Sequence, residues 1–128
     1  MSANARSLRY LLGWLIAGTR GGITRAKIIK TIHDTPQNAN QMATALKVDY
    51  KTVRYHLEVL EKNRIVTSVG DKYGATYFLS QVMEDNYVVF EEILKKIWKN
   101  SILICLANAR IFLSKIFEMY NEFILIGG

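Results

Sequence analysis

Lys51, Arg54, Tyr55 and Lys62 fall on one side of the stretch "VDYKTVRYHLEVLEKNRIV", Val48 to Val66, and Val53, Leu57 and Leu60 fall on the other. At about 100° per residue the basic group stands roughly opposite Val53, and the three apolar side chains lie within about 80° of one another. Lysine and arginine neutralise phosphates, and arginine can also pair with the edge of a guanine. The chemistry this pattern offers is recognition of a polyanion.

Enzymatic chemistry has no comparable set. No nucleophile accompanies a base, no glycine-rich phosphate loop is present, and the close carboxylate pairs Glu84/Asp85 and Glu91/Glu92 read as solvated. His33, His56 and Cys105 are too scattered for metal-ligand spacing. No catalytic residue, metal site or cofactor is therefore expected. His56 lies about 60° from Val53 and is expected to brace the helix from its buried side. His33, at a helix end, is assigned to the C-terminal dipole.

The elements that must position the basic face can be read from periodicity and punctuation. Leu8 to about Ala17 is a helix with Leu8, Leu11, Leu12, Leu15 and Ile16 on a broad apolar face, ended by "GTRGG". Thr24 is expected to cap a second helix from Arg25 to about His33, which stops at "DTPQNAN" around the sole proline, Pro36. Asn38 and Gln41 have the spacing of a capping box for a short helix, Ala39 to about Leu46. After the tight turn "KVD", Asp49 can cap a helix from Tyr50 to Lys62. Two helices so joined make a helix-turn-helix. "IVTSV" and "ATYFL", separated by "GDKYG", then read as a β-hairpin. The resulting fold class is mainly α with a small β-hairpin, a winged helix-turn-helix.

From Met83 the period is helical again, through Leu94, Trp98, Ile102, Cys105, Phe112, Ile116 and Tyr120. An unbroken helix of that length would be about 55 Å long, too much for this domain to cover. A break is expected at Lys99, Asn100 and Ser101. The expected organisation is an N-terminal helix in 1–20, the winged helix-turn-helix in 21–83 and a C-terminal helical region in 84–128.

Charge follows this division. The net charge is +6, with 12 Lys/Arg against 5 Asp/Glu in residues 1–83 and 5 against 6 in the remainder. The positive field therefore belongs to the first two thirds of the chain, where it favours double-stranded DNA. Lys51, Thr52, Arg54 and Tyr55 are the expected groove residues, with Arg54 reading a guanine. Lys62, Asn40 and Gln41 complete the face, and Tyr50 either packs or touches phosphate. Arg25 and Lys27 at the start of the second helix, with Lys72 and Tyr73 at the hairpin tip, are expected on the DNA backbone.

The apolar surplus predicts a homodimer. Leu8, Leu11, Leu12 and Leu15, with Leu94, Trp98, Ile102, Cys105, Phe112 and Ile116, are its expected interface. Ile102 to Phe123 is interrupted by charges, so no membrane span or membrane partner is expected, and no secretory leader is evident. The single cysteine fits a reducing cytoplasm. A winged-helix protein-interaction module within a larger complex is the alternative reading.

"NANQMATALKVDYKTVRYHLEVLEKNRIV" and "YGATYFL" resemble the ArsR-like winged helix-turn-helix regulators, above all their archaeal members, from about Gly22 to Glu92. The resemblance implies a dimeric transcriptional regulator, usually a repressor, that binds its operator through the helix Tyr50 to Lys62. Lys51, Thr52, Arg54, Tyr55 and His56 then occupy its recognition positions. The metal-sensing branch carries cysteine in or near this helix pair, and this chain has none there. The sequence does not identify a small-molecule effector.

Overall fold

The computed structural model describes residues 3–71, 73–106, Glu118 and Asn121. Helix α1, Ala3–Leu12, runs on as a π-helical segment, Gly13–Ala17. There follow α2 (Gly22–Asp34), β1 (Gln37–Asn38), α3 (Ala39–Leu46), α4 (Tyr50–Lys62), β2 (Val66–Val69), β3 (Thr76–Leu79), α5 (Gln81–Asp85) and α6 (Tyr87–Leu106). Among the described residues no helix is long and apolar enough to cross a membrane.

Local signals set the middle of the chain. The Asn38 side chain accepts from the Gln41 amide at 2.8 Å, and the Asn38 amide donates to Gln41 Oε1 at 3.0 Å, so α3 starts on a complete capping box. Asp49 Oδ2 accepts from the Thr52 amide and starts α4. Between the two helices Lys47 takes φ 54°, a left-handed C-cap that reverses the chain in three residues.

The hairpin forms as expected, with Val66 opposite Leu79 and Val69 opposite Thr76. It gains a third strand that periodicity does not announce: β1 pairs antiparallel with β3, giving the order β1-β3-β2. Two residues are too few for a repeat, and the segment is a strand only because β3 offers a free edge.

Two helix boundaries are corrected. Thr24 caps nothing, because α2 already begins at Gly22 behind Gly21, whose φ of 87° only glycine adopts easily. A Cβ on Gly22 would stand 1.8 Å from the Ile16 carbonyl oxygen, and one on Gly21 2.7 Å from His56 Cε1. "GTRGG" is therefore a site of close approach as well as a helix stop. The break expected at Lys99 to Ser101 lies instead at Asn86, between α5 and α6, and α6 passes through 99–101 unbroken.

The core is formed by Ile28, Ile29 and Ile32 of α2, Met42 of α3, Val53, Leu57 and Leu60 of α4, and Ile65, Met83 and Phe90. Leu8, Leu12 and Leu15, expected at a dimer interface, are also buried in this core within one chain. The reason is α6, which packs along α1 and is tied to it by an ion pair between Arg9 and Glu92. Leu11 is half-buried, whereas Tyr10 and Trp14 are 84% and 59% exposed.

Candidate nucleic-acid interface

Helix α4 buries Val53, His56, Leu57 and Leu60 and turns Lys51, Thr52, Tyr55, Glu58 and Lys62 outward. Asn40 and Gln41, on the first turn of α3, are exposed, although Gln41 is also half of the capping box. Tyr73, in the β2–β3 connection, is 80% exposed, and Lys72 lies outside the described residues. Tyr50 is partly buried and packs against the core. Lys27 is half-buried on α2.

Two arginines are placed otherwise than expected. Arg25 is only 5% exposed and cannot lie along a DNA backbone. Its Nη1 donates to the Leu15 carbonyl oxygen at 2.8 Å and to the Thr19 hydroxyl at 2.7 Å, and its Nε donates to His56 Nδ1 at 3.2 Å. Arg25 thus joins the end of the π-helical segment, the start of α2 and the back of α4. Its position early in a helix gave no hint of this, because all three partners come from other segments. Arg54 does lie on α4, but its Nη1 donates to the Tyr77 hydroxyl oxygen at 2.9 Å and its Nη2 stands 3.9 Å from Glu58 Oε1. About a fifth of its side chain remains exposed.

His56 is the buried brace expected, 6% exposed. With Nδ1 accepting from Arg25, its proton sits on Nε2. Burial first, and the Arg25 charge second, push its pKa below the ordinary 6.5, so it is neutral at neutral pH. Its ring meets the edge of Tyr55, centroids 5.2 Å apart, and so supports an exposed side chain from behind. His33 does more than face a helix dipole: it stacks on Tyr87 at 3.7 Å, holding the end of α2 against the start of α6.

Leu94 is partly buried against the core. Trp98, Ile102 and Cys105 lie on α6, and Phe112 and Ile116 lie outside the described residues. Among the described residues no three His, Cys, Asp or Glu side chains are grouped to hold a metal ion.

The arrangement is an amphipathic helix with an exposed basic and aromatic face, held from behind by buried hydrogen bonds and flanked by a hairpin. Residues 24–69 match the family model of a helix-turn-helix domain. No curated protein matches the chain. Among solved structures it is similar to MarR of Staphylococcus aureus in complex with salicylate and kanamycin, at 15% identity over 94% of this chain and 83% of that one, TM-score 0.55. It is also similar to reduced HlyU from Vibrio cholerae, at 16% identity over 73% and 92% of the two chains, TM-score 0.52. An ArsR-like transcriptional regulator from Rhodococcus shares 18% identity over 80% and 95%, TM-score 0.50. At these identities the likeness is one of architecture: the chain has a winged helix-turn-helix fold, with its helix-turn-helix domain in residues 24–69.

Proposed function

We propose that the protein is a non-catalytic, sequence-specific regulator of transcription that binds double-stranded DNA with α4 in the major groove and the hairpin against the backbone. The observation that carries this reading is the outward face of α4, where Lys51, Thr52, Tyr55 and Lys62 are all exposed while the opposite face is fully packed. A major groove admits one α-helix, and its phosphates reward lysines at the rim. The placement of α4 after a three-residue turn, and the match of this segment to a helix-turn-helix domain, support it.

Repression, in the cytoplasm, is the mode we infer, by occupation of an operator. A homodimer fits two-fold operators. With Leu8, Leu12 and Leu15 covered inside one chain, its contact is built on the outer side of α1 and the π-helical segment, where Tyr10 and Trp14 stand one turn apart and exposed, together with α6.

Selection of duplexes from a random pool tests the reading. A two-fold consensus whose affinity falls steeply with salt is expected, and the selecting species sediments as a dimer. Absence of any preferred duplex, with a defined protein complex formed instead, would transfer the basic face to a protein-interaction role.

A further inference from the structure

Tyr77 is on the central strand of the sheet, opposite Gln37 on one side and Ser68 on the other. It is 5% exposed, so its hydroxyl has little freedom to move. That hydroxyl oxygen accepts from Arg54 Nη1 at 2.9 Å. Glu58, one turn further along α4, approaches the same guanidinium only to 3.9 Å and is 64% exposed. A mostly solvated carboxylate at that distance holds an arginine weakly.

Tyr77 and Glu58 therefore act differently on Arg54. Burial pushes the Tyr77 phenol up, with the Arg54 charge pulling the other way, and the phenol is neutral throughout the physiological range. A neutral acceptor fixes where the guanidinium points without cancelling its charge. Guanine reading needs both properties, because the arginine fork must meet two acceptors in one plane.

The geometry points to Tyr77 as a positioning residue for specificity: from the wing strand, its hydroxyl sets the direction in which Arg54 is presented to a base. This rests on the reading of α4 as the groove helix. Tyr77 itself touches no DNA. Its loss removes the hydrogen bond that aims Nη1 of Arg54, which lowers discrimination while the phosphate contacts of Lys51 and Lys62 persist.

The test uses the full chain, the duplex selected by the wild type, and a panel in which each base pair of that duplex is replaced in turn. Binding is measured at one fixed salt concentration, with a salt series for the parent duplex. The wild type is expected to lose about tenfold or more at a G·C pair. Tyr77→Phe should shrink that penalty at least threefold, with an unchanged salt slope and unchanged affinity for unrelated duplexes. Arg54→Lys, which leaves the strand core intact, should shrink it equally, whereas Glu58→Gln should leave it within about twofold. Full discrimination by Tyr77→Phe or Arg54→Lys overturns the assignment. So does a uniform loss of affinity for every duplex in Tyr77→Phe, since that marks a structural role only. If the wild type shows no preferred duplex, the DNA reading fails and the positioning role fails with it, an outcome seen in the parent protein and not in its variants.

Discussion

Helix α4 has two sides that carry polar groups, and they are managed in opposite ways. Behind it, the buried Arg25 and His56, the Leu15 carbonyl and the half-buried Thr19 form a set in which each hydrogen bond crosses from one segment to another. In front of it, Lys51, Thr52, Tyr55 and Lys62 stand in solvent. Buried polar groups must be satisfied at low dielectric, so their removal is read as stability. Exposed charges contribute little to folding and keep their donors available to a partner, so their removal is read as binding. A basic residue is thus assigned to one role or the other by its burial, and Arg54, between the two sides, partakes of both.

The sharpest way to break the rear side is Gly22→Ala. The new methyl has no room beside the Ile16 carbonyl oxygen, and we expect a loss of about 3 kcal/mol or more in urea unfolding. A fully stable Gly22→Ala protein would mean that α2 does not approach the π-helical segment so closely. Next comes Arg25→Ala, which leaves His56 Nδ1 buried without its donor. The expected cost is about 2 to 3 kcal/mol, with DNA affinity per folded molecule preserved. If affinity fell while stability held, Arg25 would belong to the front side after all.

The front side is broken by Lys51→Ala/Lys62→Ala. Stability should stay within about 0.5 kcal/mol of the parent, while the plot of log affinity against log salt becomes shallower by about 2. The smallest effect is in pH. Because the folded pKa of His56 lies below its unfolded value of 6.5, the unfolded chain binds the extra proton first. Stability from this group is fully present above pH 6.5 and is lost as pH falls toward the folded value. His56→Gln should flatten that part of the stability curve, and an unchanged slope would show that the imidazole is not neutral in its pocket.

The parts of this molecule that could be read from its sequence are those whose causes lie within a few residues. The capping box at Asn38 and Gln41, the Asp49 cap, the three-residue turn and the bounds Ala39–Leu46 and Tyr50–Lys62 all depend on neighbours three or four positions away. The outward placement of Lys51, Tyr55 and Lys62 follows from the same periodicity, because a helix with one apolar stripe has only one face to show.

The remainder depended on partners far along the chain. Whether Gln37–Asn38 is a loop or a strand rests on β3. Whether Leu8, Leu12 and Leu15 meet a second chain or their own rests on where α6 lies. Arg25 and Arg54 are both arginines on helices near a basic surface, and only the packing of α1, α4 and the hairpin sends one inward to His56 and ties the other to Tyr77. The sequence by itself determined the helix-turn-helix and the identity of its exposed face, because local hydrogen bonds and a 3.6-residue period suffice for both. Tertiary structure alone decided which charges are free to meet a partner, because burial and hydrogen bonding are properties of neighbours in space.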